Sequence, residues 1–198
     1  MSLAILTIVV FVFSAVIHEY MHGWAAFEQG DTTAERAGRL TLNPLAHLDL
    51  WGSFIMPVLL FFSTGFIFGY AKPVPYNPFA LRDRRFGAAK VALAGPVANL
   101  AMAIIFGMLL RFFPFTSELM RAAFQVIVQV NLVLAIFNLL PLPGLDGSKV
   151  LMPFLPLKLQ EIYLRLEGQG MIIVLIVIFL AFPVIAKIVD FFFRLIVG

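Results

Sequence analysis

The sequence predicts an all-α polytopic membrane protein with about four to six membrane segments. Hydrophobic residues make up 62% of the 198 residues and charged residues 13%, against about 45–50% and about 25% in soluble domains. The apolar residues also form long runs, and about 20 of them in a helix are needed to cross the hydrocarbon layer. A chain of this size cannot hide so much apolar surface in a soluble core, so we expect lipid to be its main solvent.

The apolar runs organise the chain into one membrane-embedded domain. We predict three core helices, a membrane-associated insertion between the first two, and C-terminal segments after the third. The domain covers residues 1–198, the core helices about 3–28, 86–113 and 119–146, the insertion about 29–85, and the C-terminal segments 147–198. The first apolar run has no basic stretch before it and continues into a polar cluster, so we expect a retained membrane helix rather than a cleaved signal peptide.

The polar cluster His18-Glu19-Tyr20-Met21-His22 has the H-E-x-x-H spacing on a predicted helix. Side chains at i and i+4 share a helical face, so the two imidazoles can bind one ion while Glu19 reaches a water beside it. Ionisable groups inside a membrane helix are costly and usually functional. The chain has no cysteine, so nitrogen and oxygen must hold the metal, and Zn²⁺ accepts both.

Two histidines leave one protein ligand to be found. The candidates are the carboxylates and His47, the remaining histidine. Asp146 is the strongest candidate because it follows a long apolar run, in Asn138-Leu-Leu-Pro-Leu-Pro-Gly-Leu-Asp146-Gly, where prolines and glycines end the helix. The alternative is that Asp146 only caps the helix that follows.

The chain resembles the site-2 protease family of intramembrane zinc metalloproteases, through HEYMH paired with the distant NLLPLPGLDG. The intervening RLTLNPLAHLDLWG, AKPVPYNP and ALAGPVANL are similar to the short bacterial branch without PDZ or CBS domains. The resemblance implies one zinc per chain, bound by His18, His22 and Asp146, with Glu19 as the general base that activates a zinc-bound water. It also implies regulated intramembrane proteolysis of single-pass membrane proteins.

Three further polar residues are candidates for substrate binding or for support of the metal ligands. His47 either lies in an interfacial loop or acts near the zinc. Asn99 and Asn138 have amide side chains in predicted apolar helices. They either form hydrogen bonds between helices, as we also expect of Asn131, or they orient a metal ligand or bind substrate. Gly95 is expected only to let two helices approach closely.

The positions of the ligands also predict the topology. If the first and third core helices both present ligands near their C-terminal ends, they run parallel, and one full crossing lies between them. Residues 51–70 should therefore be re-entrant or interfacial. Basic residues are concentrated on the side of the site, which predicts that this side is cytoplasmic: Arg36, Arg39, Lys72, Arg82, Arg84, Arg85 and Lys90, against Arg111 and Arg121 on the other.

Two segments have no single prediction. Residues 69–78 contain three prolines and are expected to be extended, either as a stiff surface loop or as a short β-like edge near the active site that substrate could pair with. Residues 170–198 form an apolar run that Pro183 interrupts. We expect this run to be either one membrane span followed by an amphipathic stretch or a hairpin.

The function that these observations predict is hydrolysis of peptide bonds in or beside the bilayer. The expected partners are single-pass membrane proteins and lipid, and the net charge of +3 gives no reason to expect nucleic acid. We expect a multi-pass protein of the cell membrane, as in a bacterial inner membrane, with no indication of oligomeric state. An intramembrane metal transporter and a catalytically silent scaffold are the alternatives, although a transporter gives Glu19 no particular role.

Overall fold

The protein is described by a computed structural model over residues 3–49, 72–115, 117–168 and 170–198, together with residues 55, 59 and 62. Within these ranges its regular secondary structure consists of helices, and there is no strand. The α-helices are α1 (Leu3–Glu28), α2 (Thr33–Arg36), α3 (Gly87–Phe112), α4 (Glu118–Asn138), α5 (Asp146–Leu151), α6 (Leu157–Glu167) and α7 (Gly170–Val197). Short 3-10 helices cover Pro44–His47, Pro78–Ala80 and Met152–Phe154.

Among the residues that the structure describes, three helices are long and apolar enough to cross a membrane. They are α1, α3 and α4, with 26, 26 and 21 residues, or about 39, 39 and 32 Å at about 1.5 Å per residue. The hydrocarbon layer is about 30 Å thick, so each can span it. The all-α membrane class is confirmed. The higher count of segments stays a prediction, because residues 51–70 lie almost entirely outside the described residues.

The bundle is formed by α1, α3 and α4, which pack against one another, and α7 packs on α3 and α4. Ser117 precedes α4 as its N-cap, and its hydroxyl accepts a weak hydrogen bond from the Met120 N–H at 3.4 Å. Helix α4 ends at Asn138, shortly before two prolines that cannot continue a helix. The apolar core is built from Ala103, Val128, Leu132, Ile185 and Val189.

Helix α7 is one continuous helix from Gly170 to Val197, with Pro183 inside it. The hairpin alternative for residues 170–198 is therefore wrong. A proline removes one helical hydrogen bond, but lipid offers the freed groups no better partner outside a helix. Beyond the proline, Ile185 and Val189 still face the core, so the helix remains packed on the bundle.

The insertion begins and ends at the same end of the bundle. Gln29, just after α1, donates a side-chain hydrogen bond to the carbonyl of Gly87, the first residue of α3, at 3.3 Å. Its own carbonyl accepts from the Arg82 N–H at 3.0 Å. Helix α3 therefore runs antiparallel to α1, and α4 runs parallel to α1, as the predicted positions of the ligands require.

Candidate active site

The three predicted metal ligands meet at one point between α1, α3 and the start of α5. Nε2 of His18 and Nε2 of His22 each lie 3.1 Å from Oδ2 of Asp146. The two imidazoles are one helical turn apart, with ring centres 4.6 Å from each other and planes almost perpendicular. All three residues are less than a tenth exposed. The helical spacing on α1 thus places two nitrogens on one face. The turn that follows the end of α4 brings the Asp146 carboxylate to them.

The second nitrogen of each imidazole is engaged elsewhere. Nδ1 of His18 lies 2.5 Å from Oδ1 of Asn99, and Nδ1 of His22 lies 2.7 Å from the carbonyl oxygen of Val91. A carbonyl oxygen can only accept, so both Nδ1 atoms carry the hydrogen and donate it. In the neutral rings, each Nε2 then presents its lone pair toward Asp146.

This donor set fits a zinc ion. Two nitrogen lone pairs and a carboxylate oxygen converge, and without a cation or an added proton among them they would repel one another. In a tetrahedral zinc site with bonds of about 2.0–2.2 Å, ligand atoms lie about 3.3–3.6 Å apart, slightly farther than the observed 3.1 Å. Ligand atoms of His18, Glu19 and His22 also lie within 4.8 Å of one another. Glu19 is therefore close enough to the two histidines to act on a water that such an ion would hold.

A chain of buried amides fixes the orientation of His18. The Asn131 amide nitrogen donates to the carbonyl of Ile127 at 2.9 Å and to the Ser14 hydroxyl at 3.0 Å. Its oxygen accepts from Asn99 at 2.7 Å, and the Asn99 nitrogen also donates to the Ser14 carbonyl at 3.3 Å. Backbone carbonyls only accept, so they set the orientation of both amides, and the Asn99 oxygen must face His18. Asn99 and Asn131 therefore both join helices, and Asn99 also contacts a ligand.

One face of α3 is shaped to fit the two histidines. Val91, Gly95 and Asn99 follow one another at intervals of four residues and so share that face. An added Cβ at Gly95 would lie 2.6 Å from Nε2 of His22 and 2.7 Å from two ring carbons of His18. Gly95 thus leaves space for the imidazoles as well as for close helix packing, which is more than the sequence predicted.

The loop between α4 and α5 directs Asp146 toward the histidines. The Leu145 N–H donates to the carbonyl of Leu142 at 3.0 Å, and between them Pro143 and Gly144 occupy the central positions of a tight turn. Gly144 has φ +93°, as the third residue of a type II turn requires. Asp146 then begins α5, and its carboxylate faces the histidines instead of capping the helix. Capping alone is therefore not its role.

Glu19 contacts the last part of the insertion, in residues 72–77. Its Oε2 accepts a hydrogen bond of 2.8 Å from the main-chain N–H of Val74. Residues 72–77 belong to no helix or strand, so the β-like edge predicted there stays a prediction, although the segment does lie beside Glu19.

His47 and Asn138 have different surroundings from the three ligands. His47 is 1% exposed, and its Nε2 contacts the carbonyl of Thr41 at 2.8 Å. Its own carbonyl accepts from the Lys72 N–H at 2.9 Å. Asn138, the last residue of α4, donates to the Leu134 carbonyl of its own helix at 3.0 Å. Both side chains thus contact main-chain carbonyls, whereas Asp146 lies against the two imidazoles. A role of His47 or Asn138 in substrate binding stays a prediction.

Four features of the site were not predicted from the sequence: the hydroxyl of Ser14, the carbonyl of Val91, the space at Gly95 and the N–H of Val74. The i, i+4, i+8 spacing from Val91 to Asn99 could have indicated the shared face. The main-chain groups left no signal, because every residue type but proline carries them.

Comparison with known proteins finds relatives that are named as zinc metalloproteases. The chain is 35% identical to YwhC of Bacillus subtilis over 89% of this chain and 81% of YwhC. It is 31% identical to Rip2 of Mycolicibacterium smegmatis over 88% of this chain and 66% of Rip2. It is also 31% identical to MJ0611 of Methanocaldococcus jannaschii, over 69% of this chain and 63% of MJ0611. All three carry the provisional name of zinc metalloprotease.

The chain spans just under two thirds of the length of Rip2 and MJ0611, and more of YwhC. No family model and no solved structure matches it. The coverage of YwhC, together with the shared zinc metalloprotease name, is sufficient to assign the family. The chain belongs to this site-2 protease-like family of zinc metalloproteases.

Proposed function

We propose that this metalloprotease cleaves peptide bonds of membrane-spanning proteins within the bilayer. His18, His22 and Asp146 hold one zinc ion, and Glu19 is the general base. The observation that carries the proposal is the convergence of the two Nε2 atoms on the Asp146 carboxylate, at 3.1 Å each, inside a bundle of apolar helices. Such a site has no use in a passive scaffold, because burying these polar groups is costly.

The depth of the site supports cleavage inside the membrane. Helix α1 is 26 residues long, and His18 lies ten residues before its end at Glu28. These ten residues correspond to about 15 Å along the helix. If α1 is centred across a hydrocarbon layer about 30 Å thick, about 4–5 Å of each end lies outside it. His18 is then roughly 10 Å below the lipid surface.

Each of the site residues has a defined task in the reaction. Zinc, when bound, supplies Lewis acidity that polarises a scissile carbonyl and makes water easier to deprotonate. Glu19 accepts the proton of the attacking water and passes it to the leaving nitrogen. Asn99 holds His18 with Nε2 toward the ion, and Val91 does the same for His22. Fixing the ring orientation in this way is the general task of groups behind metal ligands.

The substrates we propose are single-pass membrane proteins, because a bond must reach the site from within lipid. A transmembrane helix shields its peptide bonds with its own hydrogen bonds, so the substrate must unwind locally. We also propose a multi-pass location in the cell membrane with the site toward the cytoplasm. The distribution of basic residues supports this orientation. Arg111 and Arg121 lie at the ends of α3 and α4 that are far from the site. The loops on the side of the site contain more basic residues, as cytoplasmic loops do.

The test is Glu19→Gln in purified protein reconstituted into liposomes with a single-pass membrane protein tagged at both ends. The three ligands remain in this variant, so we expect about one zinc per chain, as in a three-ligand catalytic site, and no cleavage. Glu28→Gln is the matched control, since Glu28 lies exposed at the end of the same helix. Wild type without zinc, or cleavage by Glu19→Gln at the rate of wild type, would refute the proposal.

A further inference from the structure

The segment of residues 72–77, which lies beside Glu19, is anchored at both ends. At its start, the Lys72 N–H donates to the carbonyl of His47 at 2.9 Å, and the Lys72 carbonyl accepts from the Arg39 guanidinium at 2.7 Å. At its end, the Asn77 N–H donates to Oδ2 of Asp31 at 2.6 Å. Three anchoring residues, His47, Arg39 and Asp31, thus fix this short segment, and none of them is a predicted metal ligand.

Its middle residue, Val74, lies against one face of α1. Glu19 and Gly23 are four residues apart and share that face. The Val74 N–H donates to Glu19, while the Val74 side chain, 7% exposed, packs toward Gly23. A Cβ added to Gly23 would lie 3.0 Å from Cγ1 of Val74. Gly23 therefore allows the close approach that brings the Val74 N–H to the carboxylate.

The local sequence leaves one donor at this place. Pro73 and Pro75 flank Val74, and proline has no main-chain N–H. Of these three residues, only Val74 can donate a main-chain hydrogen bond, and it donates to Glu19 at 2.8 Å. Because the prolines also restrict the backbone, this donor is held in a nearly fixed direction.

We propose that the main-chain N–H of Val74 is a positioning group for Glu19. This inference rests on the proposed function, in which Glu19 is the base. A glutamate side chain has three rotatable bonds, and a hydrogen bond to one carboxylate oxygen restricts them. With Oε2 held by Val74, Oε1 is the oxygen that receives the water's proton. The segment thus sets the direction in which the base acts, and it does so through a main-chain group.

Two substitutions at one position separate the N–H from the side chain. Val74→Ala keeps the N–H and loses buried methyl groups, whereas Val74→Pro loses the N–H as well. We expect the proline variant to have a kcat about 10- to 100-fold below that of the alanine variant, since general-base catalysis contributes about 10²–10⁴-fold. KM and zinc content should be alike in the two variants, because neither depends on the direction of Glu19.

An amide-to-ester replacement at Val74 guards against misfolding of the proline variant. It exchanges the N–H for an oxygen and leaves the side chain in place. Here too we expect a fall in kcat of about 10- to 100-fold at unchanged KM and zinc content, with a cooperative thermal melting curve that shows the variant is folded. The same replacement at Leu42, an exposed residue of the insertion, is the control and should behave as wild type.

The outcomes distinguish this inference from the proposed function. If the ester variant at Val74 keeps the kcat of wild type while Glu19→Gln is inactive, the positioning role is wrong and the protease assignment stands. A change in KM equal to the change in kcat, or a loss of zinc, would show that the segment serves binding or folding, and would overturn the inference. If wild type itself does not cleave, the proposed function fails first.

Discussion

Gly95 is the position where a single methyl group tests the metal site most directly. In Gly95→Ala, the new Cβ would lie 2.6 Å from Nε2 of His22 and 2.7 Å from Cδ2 and Cε1 of His18. Ordinary contacts between carbon atoms are about 3.5–4.0 Å, so the imidazoles must move by about 0.8 Å or more. A metal site tolerates errors of about 0.2 Å in its ligand distances. Both histidines therefore leave their binding positions together.

The expected result is loss of metal with retention of the fold. The clash is with two side chains, and alanine stabilises a helix over glycine by about 0.5–1 kcal/mol. We expect zinc affinity to fall by at least about 100-fold, the upper end of the effects seen for groups behind the ligands. The measurement is zinc per chain by atomic emission after dialysis against a chelator, beside the thermal melting curve and the cleavage assay.

Gly168→Ala is the matched control, because nothing lies within 4 Å of a Cβ added there. It should retain wild-type zinc and activity. If Gly95→Ala also binds one zinc and cleaves at the wild-type rate, the two histidines do not occupy the space beside Gly95, and the site geometry described above is incorrect.

Two further predictions concern the groups around the ligands and the anchored segment. Asn99→Ala should lower zinc affinity by about 10- to 100-fold, measured by competition with a chelator. Asn99→Asp should bind zinc more tightly than Asn99→Ala, because a carboxylate also accepts the hydrogen bond from His18. Equal affinities in wild type and both variants would contradict the role of Asn99. Burial alone would raise the pKa of Asp31, but hydrogen bonds from Thr33 and Asn77 outweigh it and hold that pKa below its usual value. The carboxylate therefore stabilises the fold above the unfolded pKa of about 3.9, and this contribution is lost as pH falls through the lower folded pKa. Asp31→Asn should cost about 1–2 kcal/mol at neutral pH and progressively less below about pH 3.9 in denaturation experiments, whereas a pH-independent difference would show that the charge is not involved.

The metal ligands could be predicted from the sequence because they depend on local geometry and on the cost of burying charge. The spacing of His18 and His22 places both on one face of any α-helix. Asp146 is distant along the chain, but its position at a proline-rich helix end marked it as a charge that needs a partner. The parallel course of α1 and α4 was predicted from these three residues, and the two helices do run parallel in the structure.

The groups behind the ligands could not be predicted in the same way, because they depend on how the helices are rotated against each other. In a soluble helix, the apolar stripe shows which side faces the core. In this bundle α1 and α3 are apolar all round, and large side chains such as Ile8 and Ile105 face outward. The pattern therefore does not show which face of α3 meets His18, and Gly95 was expected only to allow packing. The Val74 contact depends on a main-chain group, which no residue type reveals.

The bundle and the metal site share the same residues, and this has a consequence for stability. Asn99 joins α1, α3 and α4 through Ser14 and Asn131 and also holds His18. A buried amide in a membrane is tolerated when all its groups are paired, and here the oxygen of Asn99 is paired only while the His18 ring keeps its orientation. That ring orientation places the lone pair of His18 Nε2 opposite the carboxylate of Asp146. The two groups repel each other until a cation lies between them. Metal binding and helix packing are therefore coupled: the amides that hold the three helices together are the same groups that prepare the site for its ion.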